Sequence, residues 1–468
     1  MTITPRRGTT PTRTPKGRTR RRPENRAVEN RAVENRAADN RAADNRAVES
    51  RVGSTTLSGH GTAVRPRHAA GPDLASPPRV STLPAIPRTH RRPGERRAYL
   101  GATLLRCALY LAPISVGVAG SAALRHVAWP IPLVTLLLGW TAAQALTCAG
   151  VAVARRAGPT AACRLVGAGF GVVTGLWCAL VWIAPDSLVG PERGLALVVG
   201  LGGLATMATV TAALVTRSEA DVVRWSLPCW VLAGATLAAL IGSPVPWLAV
   251  DTLLPAAIVL PLVRAFRPAM LPGAPRRRFA LTRSELRRSA GYLVIGASQA
   301  ICVVVLWRGG PSGSTVPFWL PLLVAVPILE ALIAWNIGQS DASPRKVTLV
   351  TVAGLVPPLA LGCWLAVIGF DAGPAVIAGI HAQSGVQALA GGTLLGGVFA
   401  ITFLLAARGR TGIAATMAAA PPLAVLVLKL LPIPAAGPLP NAVGALAVTH
   451  AAGLLVVALT AADHRRAS

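Results

Sequence analysis

Residues 266–289 read FRPAMLPGAPRRRFALTRSELRRS, the longest polar stretch inside an otherwise apolar body. The stretch carries seven arginines and one acid, Glu285. On either side lie apolar runs of about 20 residues, the length that crosses a bilayer core as a helix. Six precede it, at 101–123, 131–154, 162–184, 194–216, 225–242 and 245–265. Six follow it, at 290–307, 315–337, 347–369, 385–406, 412–433 and 441–462. The expected fold is therefore all-α: a polytopic membrane protein of about 12 transmembrane helices. Its halves are 99–265 and 290–468, and 266–289 is the basic connector between them. Within the connector, Leu281–Ser289 has helical spacing, which predicts an amphipathic lead-in to the seventh span on the membrane surface.

The loop charges fix an expected orientation. With the N-terminus placed in the cytoplasm, 19 Lys and Arg fall on inner segments, and only Arg125, Arg193 and Arg308 fall on outer loops. That bias predicts a multi-pass protein of the cell membrane with both termini and the connector cytoplasmic. Trp129, Trp182, Trp225, Trp247, Trp307, Trp319 and Trp335 sit near span ends, as an interfacial aromatic belt requires.

Residues 1–98 differ from the body. They hold 22 of the 46 Lys+Arg and 8 of the 18 Asp+Glu, with no apolar run long enough for a signal-peptide core. From Glu24 a five-residue unit repeats as ENRAV, ENRAV, ENRAA, DNRAA and DNRAV. Each unit pairs one acid with one base and has no bulky residue to bury, so a disordered cytoplasmic tail is expected. Anionic headgroups near the tail and connector are the expected surface partner, and nucleic acid is not, because no aromatics interleave the charges. The pair Arg96-Arg97 before an apolar run looks like a twin-arginine signal but lies too far along the chain.

Chemistry-bearing motifs are scarce. The seven cysteines lie in or beside apolar runs without C-x-x-C, and the histidines have no metal-binding spacing, so no metal and no cofactor is expected. No G-x-x-x-x-G-K-[ST] loop occurs, which argues against an ATP-driven pump. The loop after span two, Ala154-Arg155-Arg156-Ala157-Gly158-Pro159, lacks the acid and second basic cluster of the major-facilitator pattern.

Ionisable residues inside spans cost about 2.5–3.5 kcal/mol each and need a reason. Arg106 in span one and Glu330 in span eight lie toward the inner side. Asp251 in span six and Lys429 in span eleven lie toward the outer side. These four are the candidate substrate or ion pathway, and the matching depths of Arg106 and Glu330 predict that the two approach each other or share one polar cavity near the inner half of the membrane. His450, mid-span in the twelfth run, reads as a hydrogen-bonded packing residue. Gln144, Gln299 and Gln387 read as interhelical hydrogen-bond donors. Gly167, Gly171 and Gly175 recur every four residues in span three and predict a smooth face for close helix packing. Prolines at 113, 255, 261, 321, 327, 357–358 and 421–422 predict kinks or cavity-lining breaks.

The six-plus-six plan, the basic connector before span seven and Arg106 in span one resemble the multidrug/oligosaccharidyl-lipid/polysaccharide exporter superfamily, over about residues 98–462. The likeness is closest to its lipid-flipping branch. It implies a secondary transporter, not an enzyme, that moves an amphiphilic or lipid-linked substrate by alternating access. It also implies that spans one, two, seven and eight line a central cavity faced by Arg106 and Glu330. The alternative is a membrane-embedded enzyme or scaffold of a cell-envelope or natural-product pathway. Because the repeat has nothing to bury, deleting residues 24–53 is expected to leave membrane insertion intact, checked by fractionation and protease protection. Loss of insertion would contradict a passive tail.

Overall fold

The computed structural model describes residues 93–240, 242–243, 249–270, 280–308, 319–338, 344–371, 376–377, 380–430 and 437–466. The repeat, the rest of the tail up to residue 92 and the connector centre at 271–279 lie outside the described residues.

Twelve helices are long and apolar enough to cross a membrane. In the first half they are α1 Pro93–Ala119, α2 Pro130–Ala157, α3 Pro159–Ile183, α4 Arg193–Thr216, α5 Glu219–Leu240 and α6 Val250–Met270. In the second they are α7 Arg283–Arg308, α8 Trp319–Gly338, α9 Pro344–Asp371, α10 Ala382–Ala407, α11 Thr411–Leu430 and α12 Pro438–Arg466. Helix is the outcome because hydrocarbon offers no partner for backbone N–H and C=O groups, so each segment must satisfy its own. One two-residue ladder, Val376–Ile377 against Ile380–His381, lies between α9 and α10 and leaves the all-α class unchanged.

The ends of the helices follow local chemistry. Gly158 at φ 86° turns α2 directly into α3, and Pro159 starts α3 where a missing N–H costs nothing. At the start of α7, Thr282 and Glu285 cap each other. The Thr282 N–H donates to Glu285 Oε2 at 2.9 Å, and the Glu285 N–H donates to Thr282 Oγ1 at 3.3 Å. This capping box starts the helix at Arg283, so the expected surface lead-in is the first part of one continuous α7.

Packing repeats between the halves. In the first, α2 packs on α3 and α4, α1 on α5, α4 on α6 and α5 on α6. Adding six to each number gives the contacts of the second half: α8 on α9 and α10, α7 on α11, α10 on α12 and α11 on α12. The main contacts between halves are α2 with α7 and α1 with α8, which the same operation interchanges. The contact pattern of one set of six helices therefore recurs in the other, and the two sets meet along two seams. A core cluster crosses the α1–α8 seam, joining Leu111, Ile114 and Val118 to Leu322, Ala325 and Val326.

The closest helix packing lies on α10, not on the expected α3 face. Gly171 and Gly175 are exposed with nothing near enough for an added Cβ to touch, and only Gly167 meets a neighbour, Phe266 at 3.2 Å. Spacing alone does not tell a partner-facing stripe from a lipid-facing one, since both are apolar. On α10, an added Cβ at Gly396 would lie 2.7 Å from the Ala325 carbonyl oxygen, and one at Gly392 would collide with Pro321. Gly397 clears space for the ring of His450, whose Nε2 lies 3.1 Å from the Leu355 carbonyl. That bond joins α12 to α9 and gives His450 the packing role expected of it. Gly392→Ala is expected to lower stability by about 1–3 kcal/mol through overpacking. Gly175→Ala is expected to change it by less than about 0.5 kcal/mol. Thermal unfolding in detergent, comparing the two midpoints, checks both.

Candidate functional site

A cavity of about 1620 Å³ lies between the halves. Helices α1, α2, α4 and α6 line it from the first half, and α7, α8 and α10 from the second. It exceeds the roughly 300–1,000 Å³ of ordinary ligand pockets. Its wall is mostly aliphatic and aromatic, with polar groups at three levels. Glu192 and Asp251 mark one end, where α4 and α6 begin. Gln144, Gln299 and Glu330 lie between the ends. Arg155, Arg156, Glu285 and Arg288 mark the other, basic end, where α2 stops and α7 starts.

The middle level is built by the α2–α7 seam. An added Cβ at Gly296 of α7 would sit 3.0 Å from Gln144 and 3.2 Å from the Cα of Thr141, so this glycine lets the two backbones approach closely. One turn away, the Trp140 indole N–H donates to Gln299 Oε1 at 3.2 Å, and Gln299 Nε2 donates to Thr402 Oγ1 at 3.0 Å. Thr402 in turn donates to the Phe399 carbonyl at 2.9 Å, and the Phe399 ring lies 5.8 Å from that of Trp140. One polar chain thus ties α2, α7 and α10 on the cavity wall.

The four expected pathway residues divide. Glu330 is buried and lines the cavity, and the charged groups acting on it are Arg106 and Glu219. Asp251 is exposed in the first turn of α6 and lines the cavity at its end. Arg106 does not line the cavity: its Nε stands 3.9 Å from Glu219 Oε1, so its ion-pair partner is the first residue of α5. Lys429 is exposed in the last turn of α11, away from the cavity wall. Glu219 went unread because it lies outside the apolar windows. The available signal was its position at the same membrane end as Arg106, where an acid also complements a helix N-terminus.

The glutamines divide as well. Gln299 donates between helices as expected, and Gln144 packs on the wall. Gln387 corrects the third expectation, because its buried Nε2 has no hydrogen-bond partner among the described residues. Of the proline breaks, Pro113 and Pro255 line the cavity. The described residues contain no group of three His, Cys, Asp or Glu side chains placed to hold a metal ion.

No protein-family model matches the sequence, and no curated protein matches it. Solved structures match the fold. An outward-facing multidrug resistance MATE-family transporter of the MOP superfamily aligns over 80% of this chain and 96% of its own, at 14% identity and TM-score 0.50. A MOP-superfamily transporter from Pyrococcus furiosus covers 79% of this chain and 95% of its own, at 14% identity and TM-score 0.47. The first of these likenesses shows a shared fold, in agreement at the level of architecture with the resemblance read from the sequence. Gln299→Leu is expected to destabilise the protein by about 1–3 kcal/mol, because it strands the Trp140 indole N–H. A lowered thermal midpoint together with an altered tryptophan emission spectrum checks this.

Proposed function

We propose that the chain is a secondary transporter that moves an amphiphilic substrate through the central cavity by alternating access. The observation that carries this reading is the arrangement itself: two repeated halves meeting along two seams, with one large, mostly apolar cavity between them. Rocking of the halves about those seams would expose the cavity to each side in turn. A hydrocarbon body fits the wall, and a polar head meets Gln144, Gln299 and Glu330. Arg106 is turned to Glu219, and the cavity's arginines are confined to its basic end. That distribution favours a neutral or cationic head over a diphosphate at the middle level. The most concrete form is a flippase or exporter, including one for a lipid-linked substrate with such a head.

In this proposal the basic end, both termini and the connector face the cytoplasm of a cell membrane, and the surface arginines rest on anionic headgroups. Glu330 and Asp251 lie on the substrate or ion pathway. A carboxyl group on a wall exposed alternately to two compartments takes a proton on one side and releases it on the other. Arg106 acts on that group through its charge from behind the wall, and Lys429 contributes at the membrane interface. Glu330→Gln is expected to abolish gradient-driven transport while leaving expression and insertion intact. Proteoliposome flux of neutral and cationic amphiphiles, with and without a proton gradient, checks this. Unchanged gradient-driven flux in the variant would remove Glu330 from the mechanism.

A further inference from the structure

Among ion pairs whose two members both lie in the described residues, Arg106–Glu219, Arg193–Asp186 and Arg264–Asp221 all stay within the first half. The fourth joins the halves. Arg156 Nη2, at the end of α2, lies 2.6 Å from Glu285 Oε2, in the first turn of α7. Both residues line the cavity at its basic end. Seam contacts lead down to this pair in antiparallel register: Trp140 with Gln299, Gln144 with Gly296, Cys148 with Ser289, then Arg156 with Glu285.

Glu285 Oε2 also accepts the Thr282 N–H at 2.9 Å. The capping box therefore holds the carboxylate in place whether or not Arg156 is present. When the helices part, Glu285 keeps a backbone partner, and Arg156, half-exposed, returns to water. Neither charge is left buried and alone, so the pair opens at little cost. A pair buried in the membrane would be hard to break. We propose that Arg156–Glu285 is a reversible latch closing the basic end of the α2–α7 seam, and that its rupture admits the conformation in which the cavity opens at that end. This goes beyond transport as such and rests on the alternating-access reading only for its purpose.

Cys148 of α2 and Ser289 of α7 are neighbours across the seam, without a hydrogen bond between them, and supply a reporter. The test uses the full chain with Ser289→Cys, its six other cysteines replaced by alanine, and a protease site inserted in the connector. Oxidative cross-linking of Cys148 to position 289 keeps the two cleaved halves together on a denaturing gel. No substrate is present, so the result stands apart from any failure to find transport. Glu285→Gln keeps an oxygen for the Thr282 cap but removes the charge. The latch requires that Arg156→Gln and Glu285→Gln each change the cross-linking rate by roughly two- to fivefold, slowing it. It also requires that the double variant be no slower than the slower single variant, since both substitutions break one interaction. Unchanged rates in the single variants, or a double variant slowed by the product of the two effects, would overturn the proposal.

Discussion

Between α2 and α7 a membrane protein solves a problem that water-soluble proteins do not have. Lipid is as apolar as leucine, so burying leucine between two helices gives no hydrophobic gain, and association must come from close packing and polar contacts. Gly296 supplies the close packing, and the Trp140–Gln299–Thr402 chain supplies the polar contacts. That chain reaches α10, the most buried of the twelve helices, so the seam is anchored to the centre of the second half.

The cavity follows from this arrangement. In the contact pattern the α1–α8 seam is the counterpart of α2–α7, but its described core is aliphatic, with Leu111, Ile114 and Val118 against Leu322, Ala325 and Val326. Two unlike seams give the halves one polar, registered contact and one smooth contact. Space remains between them, lined by aliphatic faces and by helices that carry proline where they meet the wall, Pro113 and Pro255. A small number of polar groups is set into this otherwise apolar wall, Gln144, Gln299 and Glu330 among them.

How much was legible in the sequence varied with the kind of information. Depth in the membrane is a one-dimensional quantity, and hydropathy and loop arginines specify it. The twelve apolar spans could accordingly be read directly. The direction a side chain takes around its helix is not specified, because lipid-facing and partner-facing residues are equally apolar. Gly171 and Gly175 on α3 therefore passed for a packing face, while Gly392, Gly396 and Gly397 on α10 carry the close approach. For the same reason Arg106 and Glu330 matched in height, yet Arg106 turned to Glu219. Span seven starts earlier than its apolar window because Thr282 and Glu285 extend it by capping, a local signal that hydropathy does not register.

The central claim is that one cavity serves both sides of the membrane in alternation. Its two ends offer positions for a direct measurement: Cys148 toward the basic end and Asp251, replaced by cysteine, at the other. Each would be the only cysteine of its variant in sealed vesicles of known orientation. An impermeant thiol reagent would be applied from either side, with and without a proton gradient. Alternation requires that any condition raising the labelling rate of Cys148 from the basic side lower that of position 251 from the opposite side. Rates that rise together, or that do not respond to one another, would contradict it.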